Sequence, residues 1–117
     1  PIGSMGDGMW RMMAMAIVIA HCKDGVLLVD EIDTGLHYTV LTNMWKLIFG
    51  AAKELQAQVF ATTHSSDCIT SLAELCYSDQ EVAESVSLQR IESGGRRSVP
   101  YNAGEIEAAA ERHVEVR

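Results

Sequence analysis

An aspartate and a glutamate close a short apolar run, Val26-Leu27-Leu28-Val29-Asp30-Glu31. At the carboxyl end of a buried strand, the first carboxylate can hold a magnesium ion through its waters, and the second can orient or deprotonate an attacking water. Asp33 comes next, and Thr34-Gly35-Leu36-His37 makes a tight exit. The following apolar run ends in another polar cluster, Thr62-Thr63-His64-Ser65. Polar groups after each of two adjacent strands gather at the carboxyl edge of one sheet, where open α/β folds bind ligands. Ahead of these, Ser4-Met5-Gly6-Asp7-Gly8 precedes a helix. Free backbone N–H groups, a hydroxyl and missing side chains at such a place let a phosphate approach closely.

The elements that must carry these residues follow from periodicity. Dense apolar residues over 9–22 predict a helix buried on most sides. Gly25 restarts the chain, and residues 26–29 read as a strand covered on both faces, as in a parallel sheet. Between residues 38 and 56, Leu41, Met44, Trp45, Ile48, Ala52 and Leu55 recur at spacings of three and four, the stripe of an amphipathic helix. Residues 58–62 predict a second buried strand, and Ser65 or Ser66 can cap a helix running to about Leu75. This alternation calls for α/β architecture with right-handed crossovers. Further on, segments 85–92 and 96–101 flank Gly94-Gly95 and predict a β-hairpin. Asn102 with Glu105 forms a capping box for a last helix, which Arg112 and His113 would finish. No repeat or linker interrupts the chain, so one compact unit is expected.

Taken together, these segments resemble the ABC-like P-loop ATPases of the RecF, SMC and OLD type, and especially their stand-alone AAA or OLD-like relatives. The resemblance covers residues 2–67. It makes residues 4–8 the signature motif, 26–31 Walker B, 33–37 the D-loop and Thr63-His64-Ser65 the switch-histidine segment. The implied fold is a partial P-loop NTPase: a parallel sheet with flanking helices, a C-terminal hairpin and a helix, with residues 1–117 as the C-terminal portion of the domain. The implied cofactors are ATP and Mg2+. Asp30 would sit in the magnesium shell, Glu31 would act on the water, and His64 would contact the γ-phosphate. Ser4, Gly6 and Gly8 would reach ATP held by a second subunit, and Asp33 would link the subunits.

Two departures qualify the resemblance. Asp7 and Gly8 stand where transporters carry a different glycine pair followed by glutamine or glutamate. The 117 residues also contain no G-x-x-x-x-G-K-[ST], the loop that cradles the β and γ phosphates. The chain by itself is therefore expected to hold ATP poorly and to need a Walker A-bearing segment or subunit. Three readings follow: the hydrolytic portion of an ATPase, a non-catalytic binding or assembly module, and a metal-dependent phosphoesterase built from Asp30, Glu31, Asp33, His37 and His64.

Composition bounds these readings. Apolar residues make up 48% of the chain, enough for one core, and a net charge of −7 does not support a general grip on nucleic acid. Arg90, Arg96 and Arg97 gather beside Gly94-Gly95 and read as a solvated hairpin tip. Cys22, Cys68 and Cys76 include no C-x-x-C pair, so they read as small hydrophobes in a reducing cytoplasm. The methionines read as core filler or a soft partner surface, and Trp10 and Trp45 as packing residues, Trp10 near enough to the glycine motif to line it. Residues 12–20 form the longest apolar run, about half of what a bilayer span needs. With Arg11 before it, this run imitates a signal peptide, but it leads straight into the acidic motif. A homo-oligomer is expected, because in the family the Walker A strand would lie beside the strand at residues 58–62.

Overall fold

The computed structural model describes residues 6–92, 94–102, 104–106 and 108. The chain divides into two compact units, Pro1–Thr63 and His64–Arg117. Ser4 lies outside the described residues, as do Arg112 and His113.

The first unit runs α1 (Asp7–Ala20), β1 (Val26–Val29), a 3-10 turn (Tyr38–Val40), α2 (Leu41–Leu55) and β2 (Gln58–Ala61). The stripe of α2 is buried where its spacing predicts, at Leu41, Met44, Trp45 and Ile48. Gln56 then turns left-handed at φ 52°. Its N–H reaches Lys53 O at 3.3 Å and that of Ala57 reaches Ala52 O at 2.9 Å, which satisfies the last carbonyls of the helix. α1 packs against α2 and buries Met15 and Ile19, four residues apart on one stripe.

Strands β1 and β2 are parallel, with Leu27 opposite Val59 and Val29 opposite Ala61. Backbone bonds extend the pairing past both ends: Gln58 N to Gly25 O, Thr62 N to Val29 O and Ile32 N to Thr62 O, each 2.9 Å. The expectation of strands covered on both faces is corrected. Leu27 is buried, but the face that carries Val26, Leu28 and Phe60 is 57%, 75% and 53% exposed. The helix α1 is likewise less covered than its composition implies, since Trp10, Ile17 and Val18 are exposed. Apolar runs report a demand for burial, and within this chain only one side of the demand is met.

The second unit contains α3 (Ser66–Ser78), α4 (Gln80–Ser85), β3 (Leu88–Ile91) and β4 (Ser98–Tyr101). Ser65 caps α3 by accepting from Cys68 N at 3.3 Å. The carboxylate of Asp79 caps α4, accepting from Glu81 N and Val82 N at 3.0 and 3.3 Å. Strands β3 and β4 form the expected antiparallel hairpin, with Gly94 and Gly95 at φ 98° and 64° in its turn. The capping box closes in both directions: Glu105 N donates to Asn102 Oδ1 at 3.0 Å, and Asn102 N donates to Glu105 Oε2 at 2.8 Å. Ile69, Ala73 and Ile106 pack together, with Val86, Leu88 and Tyr101 against them. The hairpin is a sheet of its own, so β2 pairs with β1 alone among the described strands.

Candidate functional site

β1 delivers Asp30 and Glu31 to its carboxyl end, and β2 delivers Thr62 beside them. The Thr62 hydroxyl accepts from Glu31 N at 2.9 Å and donates to Asp30 Oδ1 at 2.5 Å. Because a hydroxyl has one proton, the bond accepted from the backbone leaves that proton for Asp30. Among the described residues, Asp30 Oδ2 has no hydrogen-bond partner, which leaves an exposed carboxylate oxygen at the sheet edge.

Glu31 adopts φ 48°, a left-handed conformation that is uncommon for a side chain of this size. It begins a tight turn in which Thr34 N donates to Glu31 O at 3.0 Å. The hydroxyl of Thr34 reaches Glu31 Oε2 at 3.4 Å. The turn continues with Leu36 N to Asp33 O at 3.0 Å and Gly35 at φ 77°. Asp33 accepts from Thr63 Oγ1 at 2.5 Å, so its carboxylate is engaged within the first unit. Two successive threonines of the β2 exit thus hold two acids of the β1 exit.

The first turn of α1 meets the same loop. A Cβ on Gly8 would lie 3.3 Å from Gly35 O and 3.5 Å from Leu36 Cδ2, so glycine permits this approach. Gly6 sits at the N-cap with φ 79° and no side-chain cap. One turn beyond Gly8, Arg11 Nη2 donates to Glu31 O at 3.0 Å and to Asp30 O at 3.4 Å. Its Nε is buried without a hydrogen-bond partner among the described residues. Sequence reasoning gave Arg11 no role in this site; the available signal was a lone charge in an apolar helix, three residues after a glycine.

His64 opens the second unit directly before the Ser65 cap and is exposed. His37 caps the 3-10 turn, with Nδ1 2.9 Å from Thr39 Oγ1 and its ring 4.4 Å from that of Tyr38. His21 ends α1, its Nδ1 donating to Ile17 O at 2.7 Å. Trp45 is buried in packing, whereas Trp10 is exposed. Cys68 and Cys76 are buried and Cys22 is half-buried. Among the described residues no three His, Cys, Asp or Glu side chains are grouped to hold a metal, and no helix is long and apolar enough to cross a membrane.

The family model described as "AAA ATPase domain" matches residues 1–69, more than half of the 117-residue chain. The chain is also 31% identical over 70 residues to an uncharacterized protein of Methanocaldococcus jannaschii, a match covering 60% of this chain and 61% of that relative. It therefore spans less than two thirds of the curated relative's length. No solved structure matches the chain.

Proposed function

The chain belongs to the AAA ATPase domain family, and from that premise we propose that it supplies the water-activating half of an ABC-like ATP-hydrolysing site of the RecF, SMC and OLD type. The observation that carries this reading is the pairing of Asp30 and Glu31 at the carboxyl end of a parallel strand, with Thr62 of the neighbouring strand bonded to both.

The donor set suits magnesium with ATP. Asp30 offers an exposed carboxylate oxygen to the metal's waters, the usual manner in which magnesium is held by few protein ligands. When bound, magnesium neutralises charge on the phosphate oxygens. Glu31 then orients the attacking water and takes its proton at a carboxylate oxygen, while the Thr34 hydroxyl steadies that carboxylate. His64 would contact the γ-phosphate, Ser4, Gly6 and Gly8 would offer a hydroxyl and backbone N–H groups to ATP held by a second subunit, and Asp33 would link the subunits. A Walker A loop comes from a segment or subunit outside these 117 residues, in a cytoplasmic assembly. ATP turnover by the complete protein tests this reading: Glu31→Gln should abolish most hydrolysis while ATP binding persists, and an unchanged rate would remove Glu31 from the role.

An assembly role is favoured alongside by the exposed face of Val26, Leu28 and Phe60 and the open edge of β2. These features supply a surface on which the missing part of the domain, or another copy, can seat.

A further inference from the structure

We infer that Arg11 is a positioning residue that locks the left-handed turn at Glu31 to the first turn of α1. Its Nη2 reaches the carbonyl oxygens of Asp30 and Glu31, the two peptide units that set the direction of the Glu31 side chain. Gly8, three residues earlier and so on the same face of the helix, lies against Gly35 and Leu36 at the far side of the loop. The two contacts bracket the segment that contains Glu31, Asp33 and Thr34. Among the described residues the buried Nε of Arg11 has no hydrogen-bond partner, so its placement is not one that satisfies the guanidinium best. What that placement does provide is a cationic donor aimed at a backbone in an unfavoured conformation. A residue held at φ 48° persists when its surroundings over-determine it, and Arg11, Thr62 and the Thr34 bond are the three groups that do so.

The structural part of this inference stands independently of catalysis; its consequence for hydrolysis rests on the function proposed above. Arg11→Met retains an aliphatic stem and removes the donors, and Arg11→Lys restores a donor. Amide hydrogen exchange in the 117-residue chain should quicken at Ile32 and Thr34 by about tenfold in Arg11→Met, the scale of a lost local hydrogen bond. Exchange at Ile48 in α2 should not change, and Arg11→Lys should recover most of the protection. In the complete protein, Arg11→Met should lower kcat by about a hundredfold with little change in KM, as expected for a misplaced base. Unchanged exchange at Ile32 and Thr34, or an equal rise throughout the chain, overturns the lock. A normal kcat despite faster exchange at those amides overturns its link to hydrolysis. If the wild-type protein does not hydrolyse ATP, the functional reading fails while the exchange comparison still decides what Arg11 does.

Discussion

The hydroxyl oxygen of Thr62 lies 2.5 Å from Asp30 Oδ1 and accepts the N–H of the very next residue, Glu31, at 2.9 Å. One side chain therefore orients the carboxylate of the first acid and the backbone of the second. Thr62→Val keeps the shape and removes both bonds, so it should destabilise the first unit by about 1–2 kcal/mol, while Thr62→Ser should cost much less. Urea unfolding of the three proteins checks this. Equal stability of all three would mean that water replaces the bridge at no cost.

Glu31 combines the base role proposed for it with a strained backbone. At φ 48° glycine is tolerated more readily than any side chain. Glu31→Gly should therefore gain up to about 1 kcal/mol, offset in part by the greater freedom of glycine in the unfolded chain. Glu31→Gln keeps the strain and should leave stability unchanged. Both should slow hydrolysis by the complete protein by roughly a hundredfold or more, the scale of a lost general base. Loss of stability in Glu31→Gly would show that the Glu31 side chain contributes more through its contacts than its conformation costs.

The parts of this architecture that were legible in the sequence rest on local signals. The stripe of α2, the Ser65 cap, the Gly94-Gly95 turn and the Asn102–Glu105 box each need only a few neighbouring residues, and each stands where its pattern predicts. The acids and threonines at the two strand ends were legible as clusters, but not their pairing, because the register of β1 against β2 decides which threonine meets which acid. Arg11 was invisible for the same reason. It acts on carbonyls 19 and 20 residues away, which depends on how α1 is rotated against the loop.

Nucleotide affinity separates the chain from the complete site. With Asp30 and Glu31 present but no G-x-x-x-x-G-K-[ST] among its 117 residues, the chain should bind ATP more weakly than about millimolar, less than roughly 4 kcal/mol of binding free energy. Calorimetry with magnesium and ATP measures this directly. Micromolar binding would place a phosphate cradle within these residues, with the Gly6 to Gly8 segment the first place to look for it.

Strand β2 offers a different handle, because it pairs with β1 on one side and with no described strand on the other. That edge borders an apolar face where Leu28 is 75% and Phe60 53% exposed. An open edge beside exposed apolar side chains recruits another strand, and the hairpin, which forms its own sheet, does not provide one here. The chain should therefore self-associate at micromolar concentration, as a symmetric or strand-exchanged dimer or a larger oligomer. Phe60→Lys puts a charge into that face and should shift the equilibrium toward monomer, because burying it would cost far more than the apolar contact returns. Light scattering across a dilution series, with wild type and Phe60→Lys in parallel, reads both effects. A well-folded wild-type monomer at every concentration would reject self-association and leave the β2 edge satisfied by solvent.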